Sequence, residues 1–518
     1  MKNERIKKLL TAGFVTVFWI ILWQLLAVFV NKKVILPTPF MTLKALLRMM
    51  SDGEFYLTLL TSVSKILLGF FLGLLGGIIF AVLSYNVSIV RKLLTPMIRL
   101  IKAVPVASFV ILVLLWVESK NLSVIVVFLM VLPISYTNLL TGLDNLSKEL
   151  LEMAKVFRMR SGLKYRFIYF PELLPQIFAS ISVGLGFAIK SGVAAEVIGL
   201  PNFSLGRLLY DSKLYLMSDE LFAITVVIVI ISFVLEKVVL LLLNKLRQRL
   251  INFSLKEETL NSGIDDFKEY EKISENEVAE KSGNKVEKAS GNESSVSKEE
   301  KMQNGNDTDD SAQKGTVVSV KNISKSFKAA SEFDVFRKNE NKKVVFDNFS
   351  YTFNDGITCL TGPSGSGKTT LFRLLSGLET LDSGSIEGTS EKTAYVFQEN
   401  RLIENASALT NIQVVNPLIS VGKIFESMEL VGLDKENNQA VSTYSGGMKR
   451  RVAIIRTMLS DAALLLLDEP FTGLDEDSKK KTADFIKKER CGRTMVVALH
   501  NSDEAELLGS ELIRLSGE

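Results

Sequence analysis

The sequence predicts an α-helical membrane domain followed by a soluble α/β domain that cradles phosphate. Three observations carry this reading. Residues 1–250 hold six apolar segments, roughly at 10–30, 57–83, 103–118, 121–141, 173–198 and 220–243, each near the length that spans a bilayer. Residues 251–315 turn to Glu, Lys, Ser, Asn and Gly without sustained periodicity. Residues 316–518 return to an ordinary soluble composition and carry GPSGSGKTT between an apolar run and a helical pattern. At 518 residues the chain exceeds one ordinary domain, and a net charge of +4 is too near balance to suggest nucleic acid. Cys359 and Cys491 stand far apart in the soluble half and read as reduced core residues of a cytosolic domain, not as a bridge or a metal pair.

In the membrane half, the run ending at Val30 is too long for a signal-peptide core, and no small-x-small cleavage site follows, so it is expected to be an uncleaved anchor. The third segment is short and carries Pro105, which obscures its start. Basic residues cluster before segment one (Lys2, Arg5, Lys7, Lys8) and between segments two and three (Arg91, Lys92, Arg99, Lys102). They cluster again between four and five (Lys148, Lys155, Arg158, Arg160, Lys164, Arg166) and after six (Lys245, Arg247, Arg249). The alternate loops hold far fewer, so both ends and the soluble half are expected on the cytoplasmic face of a multi-pass membrane protein. Gly69, Gly73 and Gly77 lie one turn apart and predict close approach of another helix. Lys65, Lys190 and Glu196 are costly in lipid. Lys190 reads either as lining a path for an anionic solute or as snorkelling or pairing with a carboxylate such as Glu196.

Residues 251–315 cannot bury enough apolar surface to offset their ordering entropy and are expected to be a disordered, charged linker. About 60 such residues reach roughly 40 Å, which leaves open whether the soluble half docks under its own membrane half or a partner's.

The soluble half opens with the strand pattern TVVSVKNISKSF, where Phe327 is a candidate to stack on adenine; Phe333 and Phe336 are replacements. In Gly362, Pro363, Ser364, Gly365, Ser366, Gly367, Lys368, Thr369 and Thr370, glycines let backbone N–H groups converge on phosphates at a helix N-terminus. Lys368 would reach the β- and γ-phosphates of ATP and Thr369 would ligate Mg²⁺. Gln398 closes a strand, where its side chain can reach Mg²⁺ or the attacking water. Ser445, Gly446 and Gly447 open a predicted helix and form a second anion site of N–H groups and helix dipole. LLLLDEP is a continuous apolar run, as a buried parallel strand should be. Its end places Asp468 to hold Mg²⁺ through water and Glu469 to act as general base. His500, the only histidine, ends another apolar run.

In this order and spacing the motifs resemble the ATPase domain of ABC transporters. The resemblance makes VFQENRLI the Q-loop, YSGGM the signature, Asp475 of FTGLD a residue at a dimer seam, and His500 the switch histidine contacting the γ-phosphate. ELLEMAKVFRMRSGLKYRFIYFPELLP, at 149–171 and beyond, resembles the cytoplasmic coupling loop of binding-protein-dependent importer permeases of type I. Glu152, Met153 and Ala154 take the first three places of that pattern and Ile168, Phe170 and Pro171 fall at its spacing, whereas Arg158 stands where the family has Gly. GVAAEVIGL resembles the nitrate, sulfonate, taurine and bicarbonate branch. The resemblance implies permease (1–250) and ATPase (316–518) fused in one chain, acting as a homodimer or with a similar half-transporter. Each ATP would lie between one phosphate loop and the opposite signature. A separate extracytoplasmic binding protein would deliver a small solute, such as an anion. An ABC exporter, or a mechanotransmitting ABC ATPase that moves no solute, shares the ATPase motifs but lacks this coupling loop.

Overall fold

The computed structural model describes residues 2–256, 316–328, 342–389, 392–434, 439–501 and 503–515. Most of the expected linker, and Phe333 and Phe336, lie outside the described residues. The chain divides into two compact units, Met1–Leu146 with Tyr169–Arg249, and Ser147–Ile168 with Leu250–Glu518. The loop at 147–168 thus belongs to the second unit, although the helices on either side of it in sequence belong to the first.

The first unit contains α1 (Lys2–Val30), α2 (Pro39–Met50), α3 (Gly53–Asn86), α4 (Ser88–Ala103), α5 (Val106–Leu114) and α6 (Ser119–Asp144). In the loop lie α7 (Lys148–Val156) and α8 (Ser161–Lys164); α9 (Phe170–Gly199), α10 (Leu205–Leu214) and α11 (Ser218–Lys256) follow. Among the described residues five helices are long and apolar enough to cross a membrane, or six if one bent pair counts as a span. That pair corrects the expected third segment at 103–118. It is not a continuous helix: α4 and α5 meet at a 106° bend. Pro105 is the cause, since its ring fixes φ at −60° and holds the preceding Val104 in an extended conformation. The nine residues of α5 rise only about 14 Å.

The glycine stripe of α3 packs on α6 as expected. A Cβ at Gly69 would sit 2.5 Å from the Val124 carbonyl oxygen, and one at Gly77 2.5 Å from Ser135 Cβ, so only glycine permits this separation. Ser135 Oγ donates to the Leu74 carbonyl at 3.0 Å and closes the same seam. Glu196 is fully buried. Its Oε2 accepts from Ser62 Oγ at 2.8 Å and from the Gly206 N–H at 3.2 Å, tying α3, α9 and α10 together. Lys190 is exposed, and among the described residues it forms no ion pair with Glu196, so the pairing considered from sequence is not formed.

The second unit is α/β. A parallel sheet runs in the order β5 (Thr393–Val396), β6 (Leu464–Asp468), β7 (Thr494–Ala498), β3 (Ile357–Thr361), β8 (Glu511–Arg514). An antiparallel sheet comprises β2 (Lys342–Phe353), β1 (Val318–Lys328) and β4 (Ser383–Glu387). Its helices are α12 (Lys368–Leu375), α13 (Ala408–Gln413), α14 (Val421–Leu430), α15 (Gly446–Met458), α16 (Glu476–Glu489) and α17 (Asp503–Leu508). Every residue of β6 and β7 is buried, as covering a parallel sheet on both faces requires. Parallel pairing also brings the C-terminal ends of β3, β5, β6 and β7 to one edge, where ligands of such sheets bind. Cys359 lies in this core, and burial pushes its thiol up to about 11. Cys491 does not: it is exposed in the turn after α16, with φ of 50°. A turn residue of that conformation has no apolar face to bury.

α7 is seated on this unit. Met153, Ala154, Val156, Phe157 and Ile168 share one apolar cluster with Phe372, Tyr395, Phe397 and Ile455. Beyond α7, Arg158 adopts φ of 49°. Its N–H donates to Lys155 O and that of Met159 to Ala154 O, the paired bonds of a helix stop that glycine usually makes. The turn survives the substitution at the cost of a left-handed arginine.

Candidate active site

After β3 the chain turns through Gly365 and Gly367, whose φ values of 84° and 93° lie in the left-handed region. A Cβ at Gly367 would come within 2.8 Å of the Phe346 ring. α12 therefore begins at Lys368 with its N-terminal N–H groups aimed into the turn. Lys368 Nζ donates to the carbonyls of Gly362 at 2.6 Å and Pro363 at 3.2 Å. One cavity of about 980 Å³ is lined by every residue from Thr361 to Thr370 and by Phe327, Lys343, Gln398, Glu469 and His500.

Asp468 lies beneath this cavity, almost fully buried. Its Oδ2 accepts from Thr369 Oγ1 at 2.9 Å and from the Tyr395 hydroxyl at 3.2 Å. Burial raises its pKa, opposed by these two hydrogen bonds. The Thr369 hydroxyl, the Asp468 carboxylate and the Gln398 amide supply the oxygen donors that suit a hard divalent cation. Glu469 is held with φ of 50° as the chain leaves β6, and its N–H donates to Ala498 O at 2.9 Å. Ser445 caps α15, accepting from the Met448 N–H at 3.3 Å, and Asp475 caps α16, accepting from Ser478 at 2.8 Å. Ser445, Gly446, Gly447 and Asp475 do not line the cavity. The structure thus gathers the cradle, glutamine, glutamate and histidine, and leaves the signature apart from them.

With this geometry in view, residues 346–472 match the family model described as ABC transporter, and residues 73–252 match the one described as binding-protein-dependent transport system inner membrane component. The aliphatic sulfonates import ATP-binding protein SsuB 1 of Nocardia farcinica is 36% identical over 188 residues, covering 35% of this chain and 75% of that protein. The chain belongs to the ABC transporters. It joins an importer-type permease to an ATP-binding domain that powers transport. The phosphonates import ATP-binding protein PhnC 2 of Haloquadratum walsbyi is 31% identical and covers 33% of this chain and 69% of its own. A solved dimeric ATP-binding cassette bound to ADP and Pi covers 39% of this chain and 96% of its own, at 24% identity and a TM-score of 0.34.

Several residues of this ABC transporter's site escaped sequence reasoning. Arg450, buried in α15, donates to the carbonyls of Phe397 at 2.5 Å, Gln398 at 3.2 Å and Glu469 at 2.6 Å, and also to that of Asp468. It pins the glutamine loop to the acidic strand end. Burial lowers its pKa to about 10. Arg456, buried on the same helix, donates to the carbonyls of Arg401 at 2.8 Å and Asn400 at 3.2 Å. Its guanidinium lies 5.2 Å from the centre of the Phe157 ring. The available signal was phase: in MKRRVAIIRTM, Arg450 lies one turn before Ala453 and Ile454, and Arg456 falls within the apolar run VAIIRTM. Glu152 shows a different omission. It makes a two-pronged pair with Arg373 of α12 at 2.8 and 3.0 Å and a further bond with Arg401 at 2.7 Å. These bonds, Arg373 first, hold its carboxyl down at about 2.

Proposed function

We propose that the chain is a half-transporter that hydrolyses ATP to import a small anionic solute, handed to it by a separate extracytoplasmic binding protein. The observation that carries this reading is the division of the ATP motifs. Gly362–Thr370, Gln398, Glu469 and His500 share one cavity, whereas Ser445–Gly447 lie outside it. A second chain, in a homodimer or a pair of similar fusions, would supply its signature and the Asp475 seam. Mg²⁺ would be held by Thr369 and Asp468 with Gln398 nearby, supplying charge neutralisation at the phosphates. Lys368 would bind the β- and γ-phosphates, Phe327 would stack on the adenine, and Glu469 would take the proton of the attacking water while His500 contacts the γ-phosphate. Basic residues of α4 at 91–102 and of the loop at 148–166 support a cytoplasmic position for the ATPase. Closure of the two ATPase domains would move α7 and turn the permease outward.

Sulfonates and phosphonates, named for the relatives, are both small oxyanions, which supports an anionic cargo. Transport in proteoliposomes is the test: with ATP outside the vesicle and binding protein and labelled solute inside, the solute should move from the lumen to the ATP side. Movement in the opposite direction, or ATP hydrolysis with no movement of any solute, refutes import.

A further inference from the structure

The loop after β5 reaches the cavity through Gln398, but the same strand end makes a second connection. Tyr395 and Phe397 are two residues apart and project to one side of the strand. Their rings stack with centroids 4.1 Å apart at 29°. Outward, the Arg401 guanidinium lies 3.9 Å from the centre of the Phe397 ring and donates to Glu152 of α7. Inward, the Tyr395 hydroxyl donates to Asp468 Oδ2, the atom to which Thr369 also donates. Tyr395 and Asp468 are each 1% exposed and Phe397 3%. A phenol buried this deeply needs a partner for its hydroxyl, and phenylalanine would fill the same space without one. The partner chosen is the carboxylate that faces the metal position, and a donor behind a ligating carboxylate fixes its orientation.

We propose that Tyr395 is a positioning residue for Asp468, and that with Phe397 and Arg401 it forms a packed line through which the seating of Glu152 sets how Asp468 meets a divalent cation. This rests on the placement of Mg²⁺ at Thr369 and Asp468. The line bypasses the Gln398 side chain. It also gives the strand core a part in coupling, since each member touches the next.

Mn²⁺ binding to the full chain tests it, read from the electron paramagnetic resonance signal of the free ion, with ATP present and Glu469→Gln preventing turnover. Asp468→Asn must weaken Mn²⁺ binding more than tenfold; if it does not, the metal placement itself fails. Given that, Tyr395→Phe is expected to raise the Mn²⁺ dissociation constant about tenfold while leaving ATP binding in metal-free buffer unchanged. Glu152→Gln should raise it about threefold with Tyr395 present and not at all beside Tyr395→Phe. Phe397→Leu, which keeps the hydroxyl but breaks the stack, should likewise abolish the Glu152 effect and covers the case in which Tyr395→Phe folds poorly. Wild-type Mn²⁺ affinity in Tyr395→Phe overturns the positioning role; additive effects of Glu152→Gln and either ring variant overturn the line.

Discussion

The phosphate cradle is made of backbone, whereas the seat of α7 is made of side chains. In the cradle, glycines at positive φ and the first turn of α12 set the N–H directions, and one cavity collects the polar groups. In the seat, Met153, Ala154 and Phe157 sink into an apolar cluster, and Glu152 is held by arginines that lie more than 200 positions away in sequence. Backbone geometry depends on a few adjacent residues and tolerates little substitution. A side-chain seat can be assembled in many ways, and its cost is spread over several contacts.

The largest separation of the two regions should come from Glu469→Gln, which removes the proposed base and keeps the cradle. Phosphate release should fall at least about 100-fold with ATP binding retained; a near-normal rate removes Glu469 from that role. Glu152→Ala should act mainly on the seat once Mg²⁺ is saturating. It leaves Arg373 and Arg401 beside each other without their shared counter-charge, so solute uptake should fall about tenfold, while hydrolysis at saturating Mg²⁺ changes less than about twofold. If uptake and hydrolysis decline together, cradle and seat are not separable.

Acidity distinguishes them further. Because the Glu152 carboxyl is depressed to about 2 from 4.5, its ion pairs contribute in full above the ordinary carboxylate value and are lost as pH falls towards about 2. The melting-temperature difference between the wild type and Glu152→Gln should be constant from neutral pH down to about 5 and vanish near 2. A difference that already fades between pH 7 and 6 would assign the effect to another group. The smallest effect expected is at Arg158. Arg158→Gly should preserve uptake and raise the melting temperature by about 1 °C, whereas Arg158→Val should lower it by several degrees. Equal stability of the two variants would show that the left-handed turn carries no strain.

The same contrast explains what the sequence could reveal. The cradle, Gln398, Asp468, Glu469 and His500 were legible because a glycine turn and apolar strand ends announce their geometry locally, and parallel pairing carries all of them to one edge. Met153 and Ala154 were marked by the coupling-loop pattern, but the residues they pack against were not. Nothing in their sequence neighbourhood marks Arg373 and Arg401 until the fold places Glu152 between them. Tyr395 carries no mark either, since nothing in its sequence neighbourhood signals that its hydroxyl meets Asp468. Apolar content marked the membrane spans, yet it could not show that Pro105 breaks the third.

That break has a consequence for the surface around it. A helix of nine residues covers only part of the thickness of a bilayer, and acyl chains offer no hydrogen bonds to N–H or C=O groups. Where the bent pair of α4 and α5 enters a bilayer, at least one end of α5 must therefore meet protein or water.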